Sequence, residues 1–207
     1  GDQLLLFFGQ SLLADDQTAK IVGEVKCSRA LYDGIRSAGG EAEMWMVGHS
    51  LIKARMKETG AKLAGEMSGH IFFADRYFGF DDAIYAGARL IELLADSRQS
   101  LADLMETLPP SEMTPELRVA CSDEHKFAVV KRAVSAFSER YEVITVDGAR
   151  IQFAEGWGLI RASNTQPVLV LRFEAATKLQ LLAYRQEVED WLSENAPEVD
   201  LEADTHH

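Results

Sequence analysis

The residue types best suited to chemistry gather in a few short stretches. Gly65-Glu66-Met67-Ser68-Gly69-His70 sets a carboxylate, a hydroxyl and an imidazole beside two glycines. Glycine permits tight turns and leaves room for a ligand close to the backbone. Glu66 accepts hydrogen bonds and Ser68 can donate or accept them, a combination that suits neighbouring sugar hydroxyls. An imidazole such as that of His70 is the side chain suited to moving a proton near neutrality. The competing reading is a polar turn whose histidine bonds backbone groups.

Arg161-Ala162-Ser163-Asn164-Thr165 offers a guanidinium, two hydroxyls and an amide within five residues. Arginine grips phosphate through a rigid fork, and neutral donors beside it add to that grip. Ser, Asn and Thr in a loop are also ordinary turn chemistry, so both readings stand. Lys26 and Arg29 lie where a strand gives way to a helix, a place that favours anions, although solvated charges would look the same. His49, in Gly48-His49-Ser50, repeats that strand-to-helix setting, where a lone histidine is more often structural than functional.

Other chemistries lack their patterns. Neither Gly-x-Gly-x-x-Gly nor Gly-x-x-x-x-Gly-Lys-Ser/Thr occurs, and Ser68 lies in no Gly-x-Ser-x-Gly elbow. Cys27 and Cys121 are far apart and form no Cys-x-x-Cys pair, which reads as two buried reduced thiols. Asp81-Asp82 reads as a helix start, not a metal site, because adjacent side chains there diverge; no metal ligands are expected in the chain. A net charge of -12 argues against nucleic acid and anionic membranes as partners. No apolar run is long enough to span a membrane, and the apolar stretch from Leu4 to Leu13 lacks the basic leader of a signal peptide. The chain opens without Met directly into helical pattern, as a piece of a longer protein would, and the closing His206-His207 is either native or appended.

The elements that must position these residues follow from pattern. Helices are predicted over Gln3 to Ala14, Ser28 to Ala38 with Ser28 as N-cap and Gly39-Gly40 as the stop, and from a Ser50 cap to Glu58 before Gly60. Strands are predicted over Lys20 to Val25, Ala42 to Val47, Lys62 to Ala64 and Ile71 to Phe73. A further helix starts at Asp81, and Ile84, Ala88, Ile91, Leu94 and Ala95 at helical spacing give it one buried face. Strands alternating with helices mean an α/β layer structure. After a short helix near Leu101 to Glu106, Leu108-Pro109-Pro110-Ser111 marks a boundary. Beyond it, strands at Glu116 to Cys121, Val143 to Val146, Arg150 to Phe153, Gly158 to Arg161 and Val168 to Glu174 accompany helices at Glu124 to Ser138 and Lys178 to Glu194. Asp147-Gly148 is a hairpin turn signal. The last helix carries Leu181, Tyr184, Val188, Trp191 and Leu192 on one face. This half reads as α+β.

Taken together, these stretches resemble the α-D-phosphohexomutase family, and within it the bacterial phosphomannomutase/phosphoglucomutases. The resemblance runs through EVKCSRAL, MVGHSLIKARMKETGAKLAGE, GEMSGHIFFADRYFGFDDAIYAGARLIELLA and DGARIQFAEGWGLIRASNTQPVLVLRFEA, in order and over nearly the whole chain. It implies a mixed three-layer α/β domain over residues 1–108, the family's third, and a TATA-binding-protein-like α+β domain over 109–207, its fourth.

The resemblance also implies roles. Glu66 and Ser68 would read sugar hydroxyls; Arg161, Ser163, Asn164 and Thr165 would hold the non-reacting phosphate. Lys26, His49 and His70 would line the cleft, Arg29 less securely, with His70 as the catalytic proton-transfer residue. Met67, where phosphoglucosamine mutases usually carry Gln, favours the subtype that accepts both glucose and mannose phosphates. The implied ligands are glucose 1- and 6-phosphate and mannose 1- and 6-phosphate, with a hexose 1,6-bisphosphate intermediate, in a cytoplasmic enzyme. The family's phosphoserine loop, Thr-Ala-Ser-His-Asn, and magnesium loop, Asp-Gly-Asp-x-Asp, do not occur here, so Mg2+ and the phosphoryl donor would belong to N-terminal domains of the same protein. The chain alone is therefore expected to be inactive. The alternatives are a stand-alone sugar-phosphate-binding regulatory module or a phosphoglucosamine mutase.

Overall fold

A computed structural model describes residues 1–204; the His206-His207 pair lies outside the described residues. The chain divides into two compact units, Gly1–Pro109 and Pro110–His207.

The first unit is an α/β layer structure built from α1 (Asp2–Asp15), β1 (Lys20–Glu24), α2 (Arg29–Ser37), β2 (Glu41–Trp45), α3 (His49–Thr59), β3 (Leu63–Gly65), β4 (Ile71–Phe73), α4 (Ala83–Ser97) and α5 (Leu101–Glu106). The sheet order is β2-β1-β3-β4. β1 runs parallel to β2 and β3, and β4 returns antiparallel to β3. Side-chain alternation along the strands makes two cores. Ile21, Leu63 and Phe73 face one side, with Leu5 of α1 and Leu31 of α2. Val22, Ala64 and Phe72 face the other, with Ile52 and Met56 of α3. Burial on both faces explains the adjacent apolar pairs Ile21-Val22, Leu63-Ala64 and Phe72-Phe73.

Three expectations change here. α3 begins at His49 with Gly48 as its N-cap, so Ser50 lies inside the first turn and is not the cap. α4 begins at Ala83, with Asp82 as N-cap accepting from Tyr85 N–H at 2.9 Å, and Asp81 stands outside the helix. The face of α4 expected to be buried is largely exposed: Ile84 is 89% and Ile91 71% exposed, Ala88 and Ala95 are also exposed, and Leu94 is half-buried. Tyr85, Ala86, Leu90 and Leu93 pack against the core instead. Both stripes have helical spacing, and spacing alone does not say which one meets the sheet. Ser28 does occupy the N-cap position of α2, but its side chain makes no capping hydrogen bond.

The second unit contains β5 (Glu112–Met113), β6 (Leu117–Ala120), α6 (Lys126–Phe137), β7 (Glu142–Ile144), β8 (Ala149–Phe153), β9 (Gly156–Ala162), β10 (Val168–Ala175), α7 (Lys178–Asn195) and β11 (Asp200–Asp204). Its sheet order is β11-β6-β10-β9-β8-β7, with β5 also pairing with β10. The strand pairs are antiparallel. Ile151, Ile160, Leu171 and Phe173 form the core with Val129 of α6 and Val188 and Leu192 of α7. This is the α+β arrangement of an antiparallel sheet with helices on one face. Sequence pattern missed the edge strands β5 and β11, the first being too short to show alternation. Cys27 and Cys121 are both buried, and neither belongs to a disulfide among the described residues. No helix among the described residues is long and apolar enough to cross a membrane.

Candidate functional site

In the first unit the site begins where β3 turns into β4. Glu66 N–H donates to His70 O at 2.9 Å, and Gly69 N–H donates to Glu66 O at 3.0 Å. This tight hairpin needs Gly69 at φ +103°, a conformation that an L side chain rarely adopts. The hairpin turns Glu66 inward: the residue is 5% exposed. Its Oε1 accepts from Gly48 N–H at 2.9 Å, and its Oε2 accepts from Ser68 Oγ at 3.1 Å. The Gly48 bond ties the hairpin to the start of α3, which is why His49 arrives beside it.

His49 Nε2 lies 4.0 Å from Glu66 Oε2. The His49 and His70 rings meet edge to face with centroids 4.0 Å apart. His70 Nδ1 is 2.8 Å from Asp81 Oδ2, and His49 Nδ1 is 3.6 Å from the same oxygen. Asp81 reaches this position because it forms a β-bridge with Phe72 of β4, which sets it against the strand that His70 precedes. In sequence Asp81 and Asp82 look equivalent; the bridge sends one to the histidines and leaves the other to cap α4.

The turn after β1 joins the same loop through Glu24. This fully buried carboxylate accepts from Lys26 N–H at 2.7 Å and from Met67 N–H at 3.1 Å. Burial pushes its carboxyl above the ordinary range, opposed by the Lys26 charge and by both N–H groups. Lys26 itself is 8% exposed. Arg29, by contrast, pairs through Nε with Asp33 at 2.9 Å along the surface of α2. Pattern reading missed Glu24 and Asp81; the one available signal was a carboxylate ending the apolar strand KIVGE.

The Arg161 stretch is in the second unit. Arg161 Nε donates to Asp147 Oδ2 at 2.7 Å, in a pair whose side chains are 7% and 11% exposed. Asp147 comes from the turn between β7 and β8. Gly148 follows at φ +104°, and a Cβ there would sit 2.6 Å from Ile160 O. Glycine thus lets the turn lie against β9 and aim Asp147 at Arg161. Ser163 N–H donates to Val168 O at 3.1 Å, and Ser163 Oγ accepts from Thr165 N–H at 3.3 Å and Gln166 N–H at 3.2 Å. Lys126 Nζ donates to Gln166 O at 3.0 Å and holds the far side of the loop. Asn164 and Thr165 are exposed. The result is a fixed loop with a charged fork at its base and free-facing neutral groups above.

No metal ligands were expected, yet the fold brings ligand atoms of His49, Glu66 and His70 within 4.8 Å of one another. The residues come from a helix start and a hairpin, so sequence spacing carried no sign of it. Two imidazoles and one carboxylate do not suit Mg2+, which takes oxygen ligands in octahedral geometry. These three residues do not fit a resident Mg2+.

Comparison with known proteins places this geometry. Residues 1–111 match the family described as phosphoglucomutase/phosphomannomutase, alpha/beta/alpha domain III, and residues 116–190 match its C-terminal domain. The phosphomannomutase/phosphoglucomutase of Pseudomonas putida is 46% identical over 202 residues, covering 97% of this chain and 43% of the relative. The phosphoglucomutase of Neisseria gonorrhoeae is 48% identical over 180 residues, covering 86% of this chain and 39% of the relative. Among solved structures, a phosphoglucomutase/phosphomannomutase family protein of Burkholderia thailandensis superposes with a TM-score of 0.82 at 41% identity, over 95% of this chain and 42% of that one. The chain thus spans less than half the length of the relatives it matches. It belongs to the phosphoglucomutase/phosphomannomutase family, of which it carries the third and the C-terminal domains.

Proposed function

We propose that this chain is the substrate-recognition part of a phosphohexomutase that interconverts the 1- and 6-phosphates of glucose and mannose in the cytoplasm. In this reading Glu66 and Ser68 each accept from a sugar hydroxyl, and the hydrogen bond that Ser68 donates to Glu66 pre-sets the pair. His70, oriented by Asp81, moves a proton at the hydroxyl that gains or loses a phosphoryl group. Arg161 supplies the fork for the other phosphate, with Ser163, Asn164 and Thr165 as neutral donors. Lys26, Arg29 and His49 add positive charge or hydrogen bonds nearby. Equatorial hydroxyls shared by glucose and mannose are the groups such a loop can read while accepting both sugars. The phosphoserine and Mg2+ that the reaction uses lie in sequence this chain does not contain, so the chain alone turns over no substrate.

The observation that carries this reading is the joint placement of Glu66, Ser68, His49 and His70 on one hairpin and helix start within a chain of this family. A regulatory sugar-phosphate-binding module is not favoured, since the relatives reported above are mutases by name.

Calorimetric titration with glucose 1-phosphate and mannose 1-phosphate tests the recognition step. Saturable binding of both sugars, lost in Glu66→Gln and in Arg161→Ala, is expected. Binding that survives both substitutions would overturn the assignment of these residues. For the full-length protein, mutase activity on both sugars is expected, and activity on glucosamine phosphate alone would overturn the subtype.

A further inference from the structure

We propose that His49, Glu66 and His70 form a Zn2+-binding site. It draws on groups that the proposed function gives to sugar binding and proton transfer, so a bound ion would exclude substrate, and it stands on the cluster's own geometry. One ligand atom from each residue lies within 4.8 Å of the other two. Tetrahedral Zn2+ with bonds of about 2.0–2.1 Å holds its ligands roughly 3.4 Å apart. His49 Nε2 and Glu66 Oε2, at 4.0 Å, are close to that spacing already. The imidazole side chains are each 42% exposed, so they can turn inward by the remaining fraction and an ion can reach them from solvent.

The surroundings are what a zinc site uses. Metal-bound histidines usually donate their second ring N–H to a carboxylate, which fixes tautomer and ring orientation. Here Asp81 Oδ2 faces Nδ1 of both histidines, at 2.8 Å for His70 and 3.6 Å for His49. That leaves Nε2 of each ring as the ligating nitrogen. Glu66 is held from behind by Gly48 N–H on Oε1 and by Ser68 Oγ on Oε2. Two neutral imidazoles and one carboxylate select Zn2+ over Mg2+ or Ca2+, which prefer all-oxygen shells. Water would complete the tetrahedron.

The test uses the whole chain carrying His206→Ala and His207→Ala, which removes the terminal imidazoles as competing ligands. Co2+ is titrated in and its visible d–d absorption recorded, because tetrahedral Co2+ absorbs far more strongly than octahedral Co2+; Zn2+ is then added to displace it. The expected result is one tetrahedral Co2+ per chain, displaced by one Zn2+. His49→Ala and His70→Ala should each weaken binding at least about tenfold, and Asp81→Asn roughly 10–100-fold, the usual effect of losing an outer partner. Both histidines are exposed enough for these variants to keep the fold, which circular dichroism would confirm. The proposal is overturned if no tetrahedral band forms at saturating Co2+, or if the band persists at unchanged affinity in His49→Ala and His70→Ala.

Discussion

Asp81 Oδ2 lies 2.8 Å from His70 Nδ1, although the two residues belong to different loops. A carboxylate oxygen can only accept, which favours the Nδ1–H tautomer and leaves Nε2 for the proposed proton transfer. Removing the imidazole in the full-length protein, His70→Ala, should lower kcat by roughly 10²–10⁴-fold, the usual contribution of a general acid or base. KM should change much less. Asp81→Asn should lower kcat by less and shift the ring toward the Nε2–H tautomer, read from imidazole 15N chemical shifts. An unchanged tautomer in Asp81→Asn would remove Asp81 from this role.

The Arg161–Asp147 pair makes a second prediction. Its side chains are nearly buried, and breaking a buried pair by deleting one member typically costs about 3–5 kcal/mol. Arg161→Ala should therefore destabilise the second unit by an amount in that range as well as weaken phosphate binding. Arg161→Lys keeps the charge but not the fork, so it should lose phosphate affinity with a smaller loss of stability. Urea denaturation of both variants separates the two effects.

Gly148 tests how the turn serves the site. At φ +104° with Ile160 O 2.6 Å from a built Cβ, Gly148→Ala combines a left-handed backbone cost of about 1–2 kcal/mol with a clash against backbone. A loss of roughly 2 kcal/mol or more is expected by the same denaturation measurement. Weaker phosphate binding should accompany it, since the turn places Asp147.

The two stripes of α4 should respond differently. Ile84→Asp changes an exposed side chain, and its effect on stability should stay within about 0.5 kcal/mol. Leu90→Ala removes a half-buried side chain that packs on the core, and should cost roughly 1–2 kcal/mol, the lower part of the range for Leu truncation and below. Equal effects would mean that the helix presents its other face to the sheet.

Glu24 gives a pH dependence of definite sign. Burial holds its folded carboxyl above the ordinary 4.5, so the folded state binds the proton more tightly than the unfolded state. Its contribution is full below the unfolded value and is lost as pH rises through the folded one. Chemical denaturation of the parent and of Glu24→Gln, compared from acid to neutral pH, should show the difference between them shifting in favour of Glu24→Gln as pH rises. A difference independent of pH would sink this assignment.

Local pattern was enough for most elements, because each has a cause within its own segment. Apolar runs such as Ile21–Val22 make buried strands, Gly60 in the left-handed region ends α3, and Asp147-Gly148 makes the β7–β8 turn. The Gly65–His70 and Arg161–Thr165 stretches were visible as chemistry for the same reason: the donors, acceptors and glycines of each lie side by side in the chain. What sequence left undecided depends on contacts between segments. Which stripe of α4 is buried is set by where β4 and α1 lie. Whether Asp81 or Asp82 meets a histidine is set by the Phe72 bridge. Glu24 reaches the Met67 loop only because β1 and β3 pair in parallel. The amino-acid sequence by itself determined the family, most of the strands and helices, and the residue types available for binding sugar and phosphate. Only the tertiary structure decided which side chains share a hydrogen bond or surround a space, because those are distances between parts of the chain whose spacing in sequence does not encode them.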